Sequence, residues 1–230
     1  MLILDLLNDF FGLLYPKVCA ACNGLLKKHE NCICLSCQFT LPKSHFTNLT
    51  DNPIHQLFWG RFPLQQAFSL YKFQKSGVLQ NLMHQLKYGQ QQEVGVYFGK
   101  ELGKALIEQN KFITPDVIIP VPLHWRKEKI RGYNQCQLIS EGLFNKLNIP
   151  IISNVLYRKI HSDSQTKKKR FQRWENVGEI FGLHESSSLK GRHILLIDDI
   201  VTTGSTLEAC AQTLLQIKGT SVSIATVAYA

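Results

Sequence analysis

Residues 193–210 read HILLIDDIVTTGSTLEAC, and this stretch is the strongest indication of the fold in the sequence. Its apolar start predicts a buried parallel strand, and two carboxylates, Asp198 and Asp199, follow at the carboxyl end of that strand. A short loop then leads into a helix. We expect the helix to begin at Ser205, because Ser205 and Glu208 have the spacing of a capping box. The stretch therefore predicts a strand, a turn and a helix with an acidic pair at their junction.

The loop from Thr202 to Ser205 would lie at the amino end of that helix, where free amides and the helix dipole favour an anion. Its side chains are small and Gly204 can adopt a positive φ, so backbone N–H groups and hydroxyls could hold a phosphate monoester. Two carboxylates beside a phosphate would repel it. We therefore expect Asp198 and Asp199 to accept hydrogen bonds from sugar hydroxyls or to hold a hydrated Mg²⁺.

At these residues the chain resembles the type I phosphoribosyltransferases, whose signature binds 5-phosphoribosyl-1-pyrophosphate. The resemblance implies that Asp198 and Asp199 are catalytic and contact the ribose hydroxyls. The substrate-binding residues that it implies around the sugar phosphate are Val201, Thr202, Thr203, Gly204, Ser205 and Thr206. Lys87 and Arg131 are candidates for binding the diphosphate. An ordinary strand–turn–helix corner is the alternative interpretation, since such corners are common in α/β proteins.

Four cysteines near the start form two C-x-x-C pairs, which are Cys19, Cys22, Cys34 and Cys37. Each pair presents two thiolates to one metal, so the pattern predicts a single structural Zn²⁺ site. Cys32 and His29 lie between the pairs as substitute ligands, and Cys34 is preferred over Cys32 because it keeps the two-residue spacing. A disulfide framework is the alternative, but nothing in the sequence suggests export.

Two units are expected, with a boundary in the weakly periodic stretch between 41 and 62. Residues 1–50 would form an amphipathic helix and a small zinc-ribbon-like module, and residues 51–230 a phosphoribosyltransferase-like domain. The apolar run at 2–14 carries a polar stripe and is too short to span a membrane. We expect it to pack against the protein itself, or against a partner.

Apolar periodicity predicts alternating helices and strands in the larger unit. Helices are expected around Leu79, Leu82, Met83 and Leu86, over 93–109 and over 134–147. Strands are expected at 117–121, near 151–156, at 194–197 and at 222–228. This alternation implies an α/β fold, a mostly parallel twisted sheet flanked by helices, with ligands at the carboxyl ends of the strands.

Further stretches extend the resemblance to the competence protein F family. They are LKYG at 86–89, PVPLHWRKEKIRGYNQ at 120–135 and the segment 165–181. The resemblance implies a cytoplasmic protein with no membrane span. Such a protein handles incoming single-stranded DNA during natural transformation, with other DNA-uptake or recombination proteins as partners. The chain departs from the family pattern at 166–170, where relatives often have T-G-L-x-R and this sequence has TKKKR.

The formal charge of +9 at pH 7 is concentrated in two clusters that also contain aromatic rings. The candidate nucleic-acid-binding residues are Arg126, Lys127, Lys129, Lys167, Lys168, Lys169, Arg170, Arg173 and Trp174. Cations that follow phosphates, alternating with rings on which bases stack, are typical of a single-strand binding groove. The second cluster also fits a loop that covers the pyrophosphate, or a solvated surface. Since pyrophosphate and DNA are both polyanions, the sequence does not separate the first two interpretations.

Two functional classes follow. The first is a Mg²⁺-dependent phosphoribosyltransferase with an unknown acceptor, in which catalysis is mainly orientation and stabilisation of the departing diphosphate. The second is a nucleic-acid-handling protein that keeps the pocket as a sensor or scaffold. No segment of the sequence predicts a base-recognition pocket, and no histidine stands out as a general base.

Overall fold

The secondary structure alternates strands and helices, as the sequence predicts. The computed structural model describes residues 16–159, 180–184 and 187–230, so the expected helix at 2–14 lies outside the described residues. The elements in chain order are Leu35–Phe39 (α1), Pro53–Gln56 (α2), Ala67–Lys72 (β1), Val78–Tyr88 (α3), Glu93–Ile107 (α4), Val117–Pro120 (β2), Trp125–Arg131 (α5), Gln135–Leu147 (α6), Leu156–Arg158 (β3), Phe181–Leu183 (β4), His193–Val201 (β5), Ser205–Leu214 (α7) and Ser221–Tyr229 (β6). Within the described part of the chain, no helix is long and apolar enough to cross a membrane.

The core is a parallel sheet of four strands in the order β1-β6-β5-β2. The two central strands, β5 and β6, are buried along nearly their whole length. Helices α3, α4 and α6 pack on one face. Helices α2 and α7 and the antiparallel pair β3–β4 pack on the other. This arrangement confirms the predicted parallel α/β sheet.

The register of β5 opens a crevice beside the acidic pair. On one side β5 pairs with β2 only as far as Ile197, opposite Pro120. On the other side it pairs with β6 as far as Val201, opposite Tyr229. The last four residues of β5 therefore extend beyond β2, and the chain leaves these two strands toward opposite faces. Such a switch point at the carboxyl ends of strands is where α/β sheets bind ligands.

Three local expectations differ from the structure. The strand expected near 151–156 is reduced to one parallel bridge between Ile151 and Ile118, because the polar residues Ser153 and Asn154 interrupt the apolar run. The chain then forms β3, which pairs with β4 outside the main sheet. Strand β1 and helix α5 were not predicted. The strand expected at 194–197 continues to Val201, so the acidic pair lies within it.

The capping box predicted for Ser205 and Glu208 does not form, although helix α7 does begin at Ser205. Gly204 occupies the N-cap position with a φ of 76°, and no side chain caps the helix. The positive φ expected at Gly204 is therefore confirmed, and it is this glycine that turns the chain into the helix. The helix ends at Leu214.

Helices α4 and α6 are in direct backbone contact. A Cβ atom on Gly99 of α4 would lie 2.0 Å from the carbonyl oxygen of Ile139. A Cβ atom on Gly142 of α6 would lie 2.2 Å from the carbonyl oxygen of Val96. Only glycine fits at either position, because no side chain can occupy a gap of that size. This contact fixes α6 against the layer of helices on its face of the sheet.

Candidate functional site

The acidic pair is buried and its orientation is fixed by local hydrogen bonds. Asp198 is 9% exposed and Asp199 is 5% exposed. One oxygen of Asp198 accepts a hydrogen bond from the Cys136 thiol at 3.4 Å and another from the N–H of Asp199 at 2.8 Å. One oxygen of Asp199 accepts a hydrogen bond from the N–H of Ile200 at 2.6 Å. The two carboxylates are therefore held in place without a ligand.

A lysine from another element completes this group. The Nζ atom of Lys87, at the end of α3, lies 2.8 Å from the second oxygen of Asp199. Burial alone would lower the pKa of Lys87, but the Asp199 carboxylate outweighs it and raises that pKa. The Tyr133 hydroxyl donates a hydrogen bond to the carbonyl oxygen of Leu86 at 2.6 Å, which ties the end of α3 to the chain before α6.

Burial makes Asp198 titrate near neutrality. Burial and then the neighbouring Asp199 charge raise the pKa of Asp198 to about 7. Burial and the carboxylate of Asp198 likewise raise the pKa of the Cys136 thiol well above its usual range. The thiol therefore keeps its proton and can only donate to Asp198. The site thus contains a carboxylate whose charge depends on what binds beside it.

The loop at 202–206 forms a shallow pocket at the amino end of α7. It is lined by Asp198, Ile200, Val201, Thr202, Thr203, Gly204, Ser205, Thr206 and Leu207. The hydroxyl oxygens of Thr203 and Ser205 lie 3.0 Å apart. The structure thus brings together all the residues that the sequence predicted to bind the sugar phosphate, beside one member of the acidic pair.

The segment after α2 supports this loop, which the sequence did not predict. A Cβ atom on Gly204 would lie 2.7 Å from the ring of Phe58, a buried residue. Arg61 donates a hydrogen bond to the carbonyl oxygen of Thr203 at 3.1 Å and pairs with Glu208 at 3.2 Å. Glu208 is therefore engaged by Arg61 and is not part of a capping box. No sequence signal could have identified Arg61, because its partners are more than 140 residues away.

The two residues expected to bind the diphosphate come from different helices. Lys87 lies near the carboxyl end of α3, and Arg131 is the last residue of α5. Arg131 donates a hydrogen bond to the side-chain oxygen of Gln135. Its guanidinium carbon lies 5.7 Å from the ring centroid of Tyr88, the residue that follows Lys87. Arg131 thus lies beside the residue that follows Lys87, whereas Lys87 itself is paired with Asp199.

The first basic cluster forms the short exposed helix α5, none of whose residues is buried. The guanidinium carbon of Arg126 lies 5.2 Å from the ring centroid of Trp125, and the side chains of Lys127 and Lys129 are exposed. Gly132 ends the helix with a φ of 84°. The second cluster lies outside the described residues, and its members are Lys167, Lys168, Lys169, Arg170, Arg173 and Trp174.

The four cysteines of the two C-x-x-C pairs form one cluster. The sulfur atoms of Cys19, Cys22, Cys34 and Cys37 all lie within 4.8 Å of one another. The Cys22 and Cys34 sulfurs are 3.8 Å apart. This separation suits a tetrahedral ion, since Zn–S bonds of about 2.3 Å place two sulfurs about 3.8 Å apart. The backbone N–H of Cys34 also donates to the Cys19 sulfur at 3.3 Å. The cluster could therefore hold a metal ion.

The substitute ligands considered from the sequence are not part of this cluster. Neither Cys32 nor His29 belongs to the group of sulfur atoms. Burial raises the pKa of Cys32 to about 12, so its thiol stays neutral. Burial alone would raise the pKa of Cys19, but backbone N–H groups, first that of Cys34, lower it to about 7. A low thiol pKa favours the thiolate that a metal requires.

The cysteine module packs directly on the helix that carries Lys87. The side-chain amide of Asn81 on α3 donates a hydrogen bond to the carbonyl oxygen of Ala21 at 3.1 Å. Ile33 and Cys37 belong to the same apolar cluster as Leu79 of α3. The metal-binding candidate and the acidic pair are therefore linked through a single helix.

Comparisons with known proteins show which families this chain resembles. The family model for the phosphoribosyl transferase domain matches residues 135–230. Competence protein ComFC of Bacillus subtilis is 28% identical over 212 residues, which cover 90% of this chain and 81% of that protein. Competence protein F of Haemophilus influenzae is 36% identical over 104 residues, which cover 45% of each protein.

A solved structure similar to this chain is the glutamine phosphoribosylpyrophosphate amidotransferase of Bacillus subtilis complexed with ADP and GMP. It is 16% identical, with a TM-score of 0.42 over 62% of this chain and 30% of that chain. The family model covers β5, the loop and α7, and the ComFC similarity extends over most of the remaining sequence. The chain is therefore similar to competence proteins ComFC and F, and it has a phosphoribosyltransferase-like fold with a parallel sheet flanked by helices.

Proposed function

We propose that the protein binds 5-phosphoribosyl-1-pyrophosphate at the end of β5 and handles single-stranded DNA in natural competence. The observation that carries the first part is the buried acidic pair beside a small-residue loop at the amino end of α7. The similarity to competence proteins ComFC and F supports the competence role. The cytoplasm is the compartment in which we place this activity, because the resemblance implies it.

Different residues of the pocket bind different parts of the ligand. The sugar phosphate is held by backbone N–H groups and hydroxyls from Thr202 to Thr206, where the helix dipole favours an anion. The ribose hydroxyls donate to Asp198 and Asp199. The diphosphate is bound by Lys87 and Arg131, and Lys87 exchanges its pairing with Asp199 for the ligand.

The donor set also fits Mg²⁺. Among the described residues, the second oxygen of Asp199 is buried and accepts no hydrogen bond of ordinary geometry, although the Lys87 ammonium lies 2.8 Å away. Carboxylate oxygens are hard ligands that Mg²⁺ binds directly or through water. Asp198 and Asp199 would hold the hydrated ion, which when bound neutralises charge on the diphosphate.

The four clustered cysteines are proposed to hold a structural Zn²⁺. Sulfur donors favour Zn²⁺ over Mg²⁺, and a closed set of four protein ligands is typical of a structural rather than a catalytic site. The ion would stabilise a module whose own apolar core is small, and thereby support α3.

The DNA-binding part of the proposal rests on α5. Its exposed cations can follow a phosphate backbone, and the exposed ring of Trp125 offers a surface for base stacking. The second basic cluster would extend the same groove. Replacing Lys167, Lys168 and Lys169 by Ala tests this extension, because each lost phosphate contact should reduce the salt slope by about 0.7. An unchanged slope would remove these lysines from the groove.

Turnover by transfer of the phosphoribosyl group is the second candidate function. The observation that favours it is the intact acidic pair with a cation beside it. In that case Asp198 and Asp199 orient the ribose and stabilise positive charge that develops on the sugar as the diphosphate leaves. If turnover is absent, the same pocket acts as a sensor of the sugar phosphate.

The deciding experiment is calorimetric titration of the zinc-loaded protein with phosphoribosyl pyrophosphate and Mg²⁺, repeated after saturation with a short single-stranded oligonucleotide. We expect micromolar binding, and a change in affinity when DNA is present, since coupling between two sites is reciprocal. No heat, with no competition by ribose 5-phosphate or pyrophosphate, would contradict the proposal for the pocket.

A further inference from the structure

A second, larger cleft lies between α6, the connection from β2 to α5, and β3. Its volume is about 640 Å³, within the range of pockets that bind small molecules. The lining includes the rings of Trp125, Tyr157 and His184 and the carboxylates of Glu128 and Glu141. This combination of flat apolar surfaces with acidic groups is absent from the pocket around the acidic pair, which contains no ring.

Two of the three amide side chains that line the cleft, those of Asn134 and Gln137, are already engaged by the protein. Asn134 accepts a hydrogen bond from the N–H of Cys136 and donates one to the carbonyl oxygen of Val121. Gln137 accepts one from the Ser153 hydroxyl and donates one to Glu141 at 3.2 Å.

Among the described residues, the Glu128 carboxylate has no hydrogen-bond or ion-pair partner. Glu141 uses one oxygen to accept from Gln137. The polar groups left for a ligand therefore include two carboxylates, which accept hydrogen bonds from N–H donors.

The aromatic groups supply stacking surfaces. Trp125 is 60% exposed, and the Tyr157 and His184 rings lie 4.4 Å apart at an angle of 33°. A planar, apolar group with N–H donors at its edge would satisfy both the rings and the carboxylates. Nucleobases with an exocyclic amino group have these properties, and carboxylates recognise the amino group of cytosine in this way.

The charges around the cleft orient such a ligand. Two carboxylates repel a phosphate from the interior. Arg158, the one Lys or Arg among the described residues that line the cleft, has its guanidinium carbon 5.5 Å from the ring centroid of Phe181. Trp125 and Glu128 are three residues apart and share the face of α5 that lines the cleft. Arg126 and Lys127 lie on other sides of the same helix and are exposed to solvent. A base therefore fits inside the cleft while its phosphates lie along α5.

We propose that this cleft binds a nucleobase of the single strand, one that carries an exocyclic amino group, stacked on Trp125 and hydrogen-bonded to Glu128 or Glu141. The inference rests on the proposed function, since it assumes that DNA lies along α5. It adds a preference among bases that the exposed cations of α5 do not supply, because phosphate contacts carry no sequence information.

The test compares two twelve-residue oligonucleotides, one of deoxycytidine and one of deoxyuridine, by fluorescence anisotropy with the full chain. The two have the same backbone charge and differ at two ring positions. At position 4 cytosine has an amino group and uracil an oxygen, and at position 3 cytosine has a bare nitrogen and uracil an N–H. We expect about tenfold tighter binding of the cytosine strand, which is the effect of one charged hydrogen bond. Glu128→Gln combined with Glu141→Gln should bring the ratio of the two affinities close to one.

A second variant tests the ring. Trp125→Ala should weaken the binding of both strands by about fivefold or more, since a stacked base contributes at least about 1 kcal/mol. Phe39→Ala is the matched control, because Phe39 is 87% exposed on α1 in the cysteine module. This control should bind both strands like the wild type.

The outcomes separate the inference from the function on which it rests. If both strands bind equally and the two Gln substitutions leave their ratio unchanged, the cleft does not recognise a base, although DNA binding stands. If neither strand binds, the DNA-binding part of the proposed function is wrong. If deoxycytidine alone binds as tightly as the strand, the cleft serves a free nucleoside, which overturns the assignment to a strand.

Discussion

The loop at 202–206 and helix α5 are both expected to bind phosphate groups, but they are built in opposite ways. The loop is backed by the buried ring of Phe58 and tied down by Arg61, and it offers backbone N–H groups and hydroxyls. Helix α5 buries none of its residues and offers mobile cationic side chains. The first arrangement selects one ligand by shape, whereas the second attracts any polyanion.

This difference should appear as a difference in salt dependence. Preorganised dipoles at a partly enclosed site are screened weakly by salt. Binding of DNA by exposed cations releases counterions, so its affinity falls steeply as salt concentration rises. When each ligand is measured in the absence of the other, substitutions at one site should therefore leave binding at the other unchanged.

The largest effect is expected at the acidic pair. Asp198→Asn combined with Asp199→Asn should weaken binding of phosphoribosyl pyrophosphate by about 100-fold or more, because two charged acceptors are lost. Single-strand binding should stay unchanged. Calorimetry with both ligands measures the two effects on one sample. If the binding of both ligands were weakened equally, the variant would be misfolded, or the two ligands would share one site.

The next effect is on stability and depends on pH. The pKa of Asp198 is raised to about 7 in the folded protein. Between about pH 4 and 7 the carboxyl therefore keeps its proton in the folded protein and loses it in the unfolded chain. Stability therefore falls as pH rises from about 4 to 7, and the loss is complete above 7. Asp198→Asn should exceed the wild type in free energy of unfolding at pH 8 by on the order of 2 kcal/mol, and by less at pH 5.

Urea denaturation at the two pH values measures this difference. Asp51→Asn, at an exposed carboxylate near α2, is the control and should follow the wild type at both. A stability difference for Asp198→Asn that does not change with pH would show that the carboxyl does not titrate in this range.

A smaller effect is expected on α5. Replacing Arg126, Lys127 and Lys129 by Gln should weaken single-strand binding by about tenfold at physiological salt and lower the salt slope by about 2. The reason is that three phosphate contacts are lost together. Binding of phosphoribosyl pyrophosphate should be unaffected. If binding of phosphoribosyl pyrophosphate were weakened as much as DNA binding, α5 would contact the diphosphate. The loop and α5 would then not be separate sites.

The smallest effect is expected from loss of the metal. Cys37→Ser should release the zinc and weaken binding of phosphoribosyl pyrophosphate by about fivefold, because the cysteine module supports the helix that carries Lys87. DNA binding through α5 should change less. A colorimetric zinc assay and calorimetry measure the two quantities. Cys32→Ser is the control and should retain zinc, since Cys32 lies outside the cluster.

Local patterns identified the parts of the site that are contiguous in sequence. The loop, the positive φ of Gly204 and the cysteine pairs each depend on residues a few positions apart, so their spacing was sufficient. The parallel sheet followed from alternating periodicity. The error at the capping box shows the limit of such patterns. The spacing of Ser205 and Glu208 predicted the start of the helix correctly. It did not predict the partner of Glu208, because Arg61 reaches this residue from a distant segment.

The rest of the site depends on contacts that no spacing reveals. The Cys136 thiol meets Asp198 across 62 positions, and Lys87 meets Asp199 from another helix. The cleft between α6 and β3 joins residues from four segments, which is why the sequence indicated no base-recognition pocket. Helix α5 was recognised as a basic cluster but not as a helix, because it has no apolar face to bury.

The glycine contact between α4 and α6 has a mechanical consequence. With backbone against backbone at Gly99 and Gly142, the two helices cannot slide past one another, because there are no side chains between them to change rotamer. They form a fixed joint, and the thiol that α6 presents to Asp198 is anchored to it. Any hinge that lets the site adapt to its ligand must therefore lie outside this joint.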